Sequence, residues 1–491
     1  MGNRYSSIAE VIYSHTVNCG TKTFLIDESG AYSYKDIWNA TKNLAQIFYE
    51  MGLKYGDCVL VECTQNVEYL ISCFACNLKG YIFVPLEKGA SANMAKRILE
   101  ETNSKVFIAW TSFDLPVKTF KYCLRDLLTE NNSDVEFQNG ETSAEILYTT
   151  GTTGKSKGIE ISNFNNIALA ENIMYGTEMK EDNVELIPLP LSHSHALRCL
   201  YANILRGATV VIVDGVTKIP LLMKWITVYG ITAVDLSPIA AKVLLKLTKG
   251  KLSAFSSQID YIQIGTAFLS EDIKNKLVEL FPSSRLYNFY GSTESGRTCV
   301  YNFNCENNRE KCIGIPTKNA TFIVVDDDGN VMKSSEDNMG LLATYGPMNM
   351  KGYWHQPSET DRVLKNGYVY SNDLGYIDSE GYVYVVGRKD DIINFKGVKI
   401  APDEIEQIAL MSGMIKDCMC VPIKNSMSEE SPKLFVSLEQ SVSDKFNKND
   451  FIAYLRNNID SNKMPTEVEV IDEIPRTSNG KLHRAALKEK R

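Results

Sequence analysis

The sequence predicts an α/β fold with more than one domain, and three observations support this. The chain has 491 residues, whereas a single hydrophobic core stops growing at roughly 250–300 residues. Short apolar runs such as CVLVEC, YIFVPL and ATVVIVDG indicate buried strands, whereas YKDIWNATKNLAQIFYEMG has apolar residues at helical spacing and ends at Gly52. This alternation is typical of a largely parallel sheet with covering helices.

The character of the sequence changes near residue 320. From there to about residue 387, short aromatic and β-branched segments alternate with turn residues, which predicts a small β-rich subdomain. The segment from about residue 391 onward mixes helical, strand-like and polar patterns and is long enough for a small α+β domain. We therefore expect a large N-terminal region over residues 1–387 and a smaller C-terminal domain over residues 391–491.

Composition excludes some classes of function. The formal charge of −8 argues against a general nucleic-acid binder, which needs a basic surface. No run of about 18 apolar residues occurs, so no membrane span is expected. The twelve cysteines are scattered and no export signal is visible, which favours reduced thiols in the cytoplasm. Gly2 and Ser6 fit the short N-myristoylation pattern, but chance explains such a match better.

The segment EILYTTGTTGKSKGIEIS carries the clearest chemistry. Glycines let backbone N–H groups converge on an anion, while threonine hydroxyls and lysine ammonium groups add donors and charge. These properties predict a triphosphate-binding loop. A Walker A loop is a weaker alternative because Thr149 stands where that motif needs glycine and because IEIS reads as a strand. The other alternative is an exposed turn without a binding role. The predicted nucleotide-binding residues are Thr149, Thr150, Gly151, Thr152, Thr153, Gly154 and Lys155.

TTGTTGKSKG resembles the phosphate-binding signature of the adenylate-forming superfamily, which contains acyl-CoA synthetases, adenylation domains of nonribosomal peptide synthetases, and beetle luciferases. NFYGSTES is similar to the family's Y-G-x-T-E motif. The resemblance implies that Tyr290 stacks on adenine, that Thr293 contacts the α-phosphate and acts in catalysis, and that Glu294 holds Mg²⁺. An aromatic ring, a hydroxyl and a carboxylate suit a purine, a phosphate and a hard cation.

Further segments follow in the family's order. YIQIGTAFLS resembles the adenine-contacting segment, which implies nucleotide contacts at Gly265, Thr266 and Ala267, although Thr266 stands at a usual glycine position. YSNDLGYID resembles the motif whose aspartate binds ribose, here Asp373, with Ser371 and Asn372 in place of the usual Thr-Gly.

GRKDDIINFKG resembles the hinge segment between the family's two domains. The resemblance implies that Arg388 contacts ribose and that the mobile C-terminal domain rotates about Asp390. Asn394 stands where most relatives have lysine. PRTSNGKLHR resembles the near-terminal P-R-T-x-x-G-K motif, and Lys481 is the matching catalytic lysine, which would bridge the acyl carboxylate and the phosphate.

IPLPLSHSHALRCL resembles the P-L-x-H-x-x-G segment of acyl-CoA synthetases, with His193 at the catalytic motif histidine. Amino-acid-activating relatives carry an aspartate in this region, but no acidic residue lies between Leu186 and Arg198, so we expect an acid without an α-amino group. A zinc site from His193 and His195 is a minor alternative, since no third ligand is evident. The predicted acyl pocket comprises His193, Ser194, Leu236, Ser237, Ser295 and Gly296.

The expected function is ATP- and Mg²⁺-dependent activation of a small-molecule carboxylic acid as its acyl-adenylate, followed by transfer to coenzyme A. One alternative acceptor is the phosphopantetheine arm of a separate acyl or peptidyl carrier protein. An alternative of another class is a nucleotide-binding protein without catalysis. The presence of Lys481, Glu294 and Asp373, together with Arg388, favours an enzyme.

Overall fold

The computed structural model describes residues 5–113, 115, 119–148, 156–305, 309, 311–395, 398–424, 430–439, 446–476 and 482–488. Helices and strands alternate through most of these ranges, so the predicted α/β class is confirmed. Within the same ranges, every helix is too short or too polar to cross a lipid bilayer. The twelve cysteines are all free thiols, and Cys73 and Cys76 are buried in a helix as core residues.

The strands are numbered in chain order. The first are β1 (Thr23–Asp27), β2 (Gly30–Ser33), β3 (Cys58–Glu62), β4 (Ile82–Leu86), β5 (Val106–Ile108), β6 (Thr119–Phe120), β7 (Ser143–Tyr148), β8 (Gly158–Ser162), β9 (Val184–Ile187), β10 (Thr209–Ile212), β11 (Ala233–Leu236), β12 (Tyr261–Ile264) and β13 (Arg285–Ser292). Those that follow are β14 (Gly296–Asn302), β15 (Cys312–Pro316), β16 (Thr321–Val325), β17 (Gly340–Tyr345), β18 (Gly352–Tyr353), β19 (Leu364–Lys365), β20 (Tyr368–Ile377), β21 (Val383–Arg388), β22 (Ile393–Phe395), β23 (Val398–Ile400), β24 (Asp417–Lys424), β25 (Glu430–Ser437) and β26 (Glu467–Val470).

The helices are numbered in the same way. They are α1 (Ile8–Cys19), α2 (Tyr34–Glu50), α3 (Val67–Lys79), α4 (Ala92–Thr102), α5 (Leu124–Leu127), α6 (Asn163–Gly176), α7 (Ser194–Arg206), α8 (Ile219–Val228), α9 (Pro238–Thr248), α10 (Glu271–Leu280), α11 (Pro357–Val363), α12 (Pro402–Met411), α13 (Lys448–Asn458) and α14 (Ala485–Lys488). Short 3-10 helices cover Lys251–Phe255 and Lys389–Asp391.

The predicted helix in YKDIWNATKNLAQIFYEMG is α2, and local chemistry sets both of its ends. Ser33 and Asp36 form a reciprocal capping box at the start, which satisfies backbone N–H groups that have no partner within the helix. The helix ends at Glu50, and Gly52 follows with a φ of 86°, a left-handed conformation that glycine adopts without strain. The sequence therefore determines this element locally.

Two sheets form the large N-terminal region. The smaller one has the order β18-β8-β7-β4-β3-β5-β6 and is parallel from β7 to β6. Every residue of β3 and β4 is buried, which explains why both read as continuous apolar runs, as strands covered on both faces do.

The larger sheet has the order β16-β17-β20-β21-β15-β14-β13-β12-β11-β9-β10-β1-β2. Its strands run parallel from β1 to β13, and those from β14 to β16 pair antiparallel. The change of sequence character near residue 320 therefore marks the antiparallel part of this sheet. Because β15 pairs with β21, the β-rich subdomain is continuous with the parallel core.

The C-terminal segment has its own hydrophobic cores. In β24, Cys418 and Cys420 face one core with Ile405 and Phe451, from α12 and α13. The intervening residues of β24 face a second core on the other side of the β24-β25-β26 sheet, with Met419, Val421, Phe435, Ile474 and Leu487. This alternation of side chains along β24 is that of a strand covered on both faces.

Candidate active site

The YGSTESG segment forms a tight hairpin between β13 and β14, with a bulge at Tyr290 and Gly291. A Cβ atom on Gly291 would lie 1.9 Å from the Gly296 carbonyl oxygen, so a larger residue does not fit. Gly296 has a φ of 67°, which also favours glycine. The two glycines therefore hold Thr293 and Glu294 in the turn at the end of the sheet.

Glu294 and Lys157 lie on either side of Tyr353. The Tyr353 hydroxyl donates to Glu294 Oε1 at 3.0 Å, and Lys157 Nζ lies 4.9 Å from the centre of the Tyr353 ring. Lys157 also pairs with Glu359 at 2.6 Å. Burial, and then the charge of Glu294, raise the pKa of Tyr353, which keeps its hydroxyl a donor. A carboxylate and an ammonium group thus approach the same tyrosine.

Tyr290, Asp373 and Arg388 come together from three strands, β13, β20 and β21. The Tyr290 hydroxyl donates a hydrogen bond to Asp373 Oδ2. Asp373 is the register partner of Arg388, and its Oδ1 lies 3.9 Å from Arg388 Nε. Burial, and then the Asp373 charge, raise the pKa of Tyr290 well above its usual value. Three of the predicted nucleotide-binding residues therefore share one place, although their separate contacts with adenine and ribose stay predictions.

Two departures from the family pattern have a common backbone explanation. Thr266 and Asn372 stand at usual glycine positions, and their φ angles are 82° and 61°. Asparagine tolerates this left-handed region, but a β-branched residue there is strained. Beside Thr266, a Cβ on Gly265 would lie 2.2 Å from the Phe289 ring, so that position requires glycine. Thr266 and Ala267 are both exposed at the end of β12.

The predicted hinge residue, Asp390, contacts the ribose-motif strand. Its Oδ2 accepts a hydrogen bond from Asn372 Nδ2 at 2.6 Å. Both residues are exposed or half-buried at the surface, and Arg388 beside them is exposed as well. Asn372 therefore replaces glycine with a side chain that reaches the hinge.

On the acyl side, His193 directly precedes α7, and Ser194 is the first residue of that helix. His193 Nε2 lies 3.6 Å from Glu87 Oε1, and both side chains are about a quarter exposed, at 26% each. Ser295 and Gly296 are buried, and a Cβ on Gly296 would meet Leu169 at 2.5 Å. A larger residue at Gly296 would therefore require the Leu169 side chain to move.

The other two predicted pocket residues are oriented differently. Leu236 lies with Leu186 and Ile262 on the face of the larger sheet that packs against α9. The Ser237 hydroxyl caps α9 by accepting from the Ala240 N–H at 3.1 Å. Because side chains alternate along a strand, the residue that β11 turns toward α7 is Asp235 rather than Leu236.

Asp235 belongs to a group of buried polar residues that the sequence motifs did not indicate. His195 Nε2 lies 2.6 Å from Asp235 Oδ1, and the exposed fractions of the two side chains are 7% and 0%. Cys199, one turn further along α7, lies close enough for His195, Cys199 and Asp235 to offer metal ligands within 4.8 Å of one another. The signal in the sequence was the i, i+4 spacing of His195 and Cys199 on one helical face.

The zinc alternative is not supported by this geometry. His193 faces Glu87 and His195 faces Asp235, so the two histidines do not converge. Arg297 Nη2 lies 3.3 Å from Cys199 Sγ. Because a guanidinium group beside the thiol repels a second cation, the cluster of His195, Cys199 and Asp235 does not fit a metal ion.

The glycine-rich loop residues Thr149–Lys155 and the motif lysine Lys481 lie outside the described residues, and so does Gly2. The strands that flank the loop are described: β7 and β8 pair antiparallel, with Tyr148 opposite Gly158. A strand therefore follows the loop where a Walker A motif requires a helix, and the P-loop alternative is wrong.

Known proteins share both the sequence pattern and the fold. The family described as AMP-binding enzyme matches residues 14–354, and the AMP-binding enzyme C-terminal domain matches residues 404–481. The 2-succinylbenzoate–CoA ligase of Bacillus subtilis (strain 168) is 26% identical over 95% of this chain and 95% of its own length. The 4-coumarate–CoA ligase 4 of Arabidopsis thaliana is 24% identical over 93% of this chain and 86% of its own length.

A solved structure extends the likeness to three dimensions. ATP-bound MatB from Rhodopseudomonas palustris superposes with a TM-score of 0.89 at 20% identity, covering 99% of this chain and 98% of that one. Fold and site together define an adenylate-forming enzyme of the acid–thiol ligase class. The chain belongs to the AMP-binding enzyme family, and its resemblance to acyl-CoA synthetases is confirmed.

Proposed function

We propose that the protein activates a carboxylic acid without an α-amino group as its acyl-adenylate and transfers the acyl group to coenzyme A. One observation carries the first half: Tyr290, Asp373 and Arg388 meet at one place in the fold. An aromatic hydroxyl, a carboxylate and a guanidinium group suit a nucleoside. The CoA-ligase relatives support the second half.

In the first step, an oxygen of the substrate carboxylate attacks the α-phosphorus of ATP. A bond forms between this oxygen and the phosphorus, the bond to pyrophosphate breaks, and pyrophosphate leaves. Both reactants are anionic, so their repulsion must be reduced and their approach oriented. Lys157, which directly precedes β8, is proposed to supply positive charge, and Lys481 is proposed to bridge the carboxylate and the phosphate. In the second step, the thiol attacks the acyl carbonyl, a thioester forms, and AMP leaves.

Glu294 fits the magnesium role. It is a half-buried carboxylate in the turn after Thr293, and one of its oxygens accepts from Tyr353. Hard oxygen ligands of this kind are those that Mg²⁺ prefers. When bound there, Mg²⁺ would neutralise charge on the phosphates.

A carboxylate near the start of α7 would be needed to recognise an α-ammonium group. Among the described residues, Glu87 and Asp235 lie near the start of α7, and they face His193 and His195 respectively. Asp235 is moreover fully buried. This arrangement supports a substrate without an α-amino group.

We also infer that residues 1–387 and 391–491 move as two domains about Asp390. Support comes from the separate hydrophobic core of the C-terminal segment. The hydrogen bond between Asn372 and Asp390 connects the hinge to the ribose-motif strand. Rotation about this point would remove Lys481 after adenylation and admit the thiol, as the family resemblance implies.

Pyrophosphate exchange tests the proposal. Carboxylate-dependent exchange of labelled pyrophosphate into ATP is measured across a panel of acids, and thioester formation is then measured with CoA or with a phosphopantetheinylated carrier protein. Exchange with at least one acid, followed by CoA thioester, is expected. Loading of the carrier but not of CoA would show that the acceptor is a carrier protein instead of CoA. No exchange with any acid would contradict the whole proposal.

Lys481→Ala tests the role of the motif lysine. Adenylate formation should fall about a hundredfold or more, as when a group that stabilises developing charge is removed, while ATP affinity changes by only a few-fold. Lys448→Ala, at an exposed lysine of the same domain, is the matched control and should keep the normal rate. Adenylate formation at the normal rate in Lys481→Ala would show that the assignment is wrong.

A further inference from the structure

A buried polar network lies between α7 and the larger sheet. His195 and Cys199 project from α7 toward Asp235 on β11, and Arg297 on β14 closes the group. Arg297 Nη1 donates to Gln263 Oε1 at 2.5 Å, and Gln263 in turn donates to Glu185. We call these residues the α7 network: His195, Cys199, Asp235, Arg297, Gln263 and Glu185.

Three polar atoms of the network have no hydrogen-bond partner among the described residues: Asp235 Oδ2, and two that lie beside the Phe289 ring, His195 Nδ1 and Arg297 Nε. Asp235 lies 2.6 Å from His195 Nε2, and a carboxylate accepts, so this nitrogen carries the hydrogen. In this tautomer His195 Nδ1 is an acceptor without a partner, while Arg297 Nε is a donor without one. Arg297 is only 4% exposed. Leaving a buried polar group unpaired is unfavourable, so His195 Nδ1 and Arg297 Nε are expected to bind a partner when the protein works.

The network adjoins the segments that carry residues of the predicted acyl pocket. The His195 and Phe289 ring centroids are 4.7 Å apart, and the Arg297 guanidinium group lies 3.5 Å from the Phe289 ring centroid. Phe289 in turn covers Gly265, in the segment predicted to contact adenine. His195 follows His193 by two residues, and Arg297 directly follows Gly296. His195 Nδ1 and Arg297 Nε are therefore close to both the predicted acyl segment and the predicted nucleotide segment.

We propose that the α7 network selects an acid that carries a neutral hydroxyl group at the end remote from its carboxylate. A hydroxyl group donates one hydrogen bond and accepts others, so it pairs with His195 Nδ1 and with Arg297 Nε together. A second carboxylate would add an anion beside Asp235 and Glu185. An alkyl end would leave both network atoms unpaired. This inference rests on the proposed function, because it concerns the same acyl pocket.

Matched pairs of acids test the substrate class. The kcat/KM for pyrophosphate exchange is measured for ω-hydroxyoctanoate against octanoate, for para-hydroxyphenylpropanoate against phenylpropanoate, and for the dicarboxylate suberate. At least one hydroxylated acid should exceed its parent by about tenfold or more, because sites built to bond a hydroxyl reject analogues without it. Equal or better use of every parent acid, or preference for suberate, would overturn the inference while leaving the proposed function intact. If no acid supports exchange, both fail.

Variants separate recognition from structure. His195→Phe keeps an aromatic ring against Phe289 but removes Nδ1, so the ratio of the two kcat/KM values should fall toward one while the parent acid changes only a few-fold. His15→Phe is the matched control: His15 is a partly buried histidine that packs on Tyr34 and Gly207, and its replacement should leave the ratio unchanged. A purely structural role for His195 would lower both acids equally, which contradicts the inference.

His195→Phe also leaves the Asp235 carboxylate buried without its partner, which could prevent folding. The double variant His195→Phe/Asp235→Asn removes that charge and should show the same loss of discrimination. The wild-type comparison of hydroxylated and parent acids decides the inference even if neither variant folds.

Discussion

Two buried guanidinium groups, Arg297 in the larger sheet and Arg484 in the C-terminal domain, have opposite surroundings. Arg484 reaches three carboxylates, those of Asp391, Asp403 and Glu406, and also donates to the Cys420 carbonyl oxygen at 2.9 Å. Arg297 meets an amide, a thiol and an aromatic ring, and keeps one nitrogen unpaired. A fully paired cation stabilises structure, whereas an incompletely paired one is suited to receive a ligand.

The position of Arg484 explains why its pairing is complete. It follows Lys481 by three residues, and its carboxylate partners lie on α12 and beside the hinge. Burial alone would lower the pKa of Arg484, but the charge of Glu406 and its other acidic neighbours raise it. Burial raises the pKa of Glu406 to about 7 although Arg484 opposes this shift. Arg484 therefore anchors residues 482–488, which follow the predicted catalytic lysine in the sequence.

Arg484→Met should have the largest effect on stability. Removing the guanidinium group leaves the buried Glu406 carboxylate uncompensated, and breaking a buried pair typically costs about 3–5 kcal/mol. The loss should appear in the C-terminal domain, so hydrogen exchange in β24 and β25 should accelerate by orders of magnitude while β9 and β11 keep their protection. Exchange measured by mass spectrometry on the full chain reports both regions at once.

Arg476→Met is the control within the same domain. Arg476 pairs with Asp417 at 2.7 Å, but its side chain is 35% exposed. Such an ion pair is worth about 1 kcal/mol or less. Equal destabilisation by the two substitutions would show that the deeper burial of Arg484 and its larger number of carboxylate partners add nothing to the stability of the domain.

The sequence predicted the elements and the nucleotide residues better than it predicted the α7 network. Strand and helix patterns located the elements, and ordered motifs indicated Tyr290, Asp373 and Arg388, which the fold brings together. Motifs could not reveal the α7 network, because His195, Asp235 and Arg297 lie on separate elements and meet only through strand order. The alternation in AVDL indicates that Asp235 and Leu236 face opposite sides of the sheet, but it does not indicate which elements cover each side. The roles of Lys481 and of Thr149–Lys155 stay predictions.

Glu185→Gln tests the charge balance of the α7 network through pH. Burial, and then the charge of Asp235, raise the pKa of Glu185 from 4.5 to about 7. Between these two values the folded protein binds a proton that the unfolded chain releases, so the stabilisation from Glu185 is present at low pH and is lost as pH rises toward 7. Glutamine stays neutral, so the variant should lose less stability over this window than the wild type.

Urea denaturation across this pH range measures the difference in slope. Glu406, whose pKa is also raised to about 7, should retain its own share of the slope in the variant. Glu130→Gln, at an exposed residue that pairs with Lys35, is the control and should follow the wild type. Parallel curves for Glu185→Gln and the wild type would mean that Glu185 is ionised in the folded protein throughout.

The smallest expected effect concerns backbone strain, which also differs between the C-terminal domain and the rest of the chain. The described residues of the C-terminal domain contain no non-glycine residue with a positive φ, whereas Thr266 beside the nucleotide segment has a φ of 82°. Thr266 is exposed, so Thr266→Gly removes strain without removing packing, and it should stabilise the protein by about 1 kcal/mol.

Thr21→Gly, at an exposed turn residue outside the positive-φ set, should instead destabilise by about 0.5–1 kcal/mol, because glycine gives the unfolded chain more freedom. Urea denaturation of both variants gives the two signs. If Thr266→Gly destabilised as much as Thr21→Gly, the left-handed backbone at Thr266 would carry no strain, and the nucleotide segment would be as relaxed as the C-terminal domain.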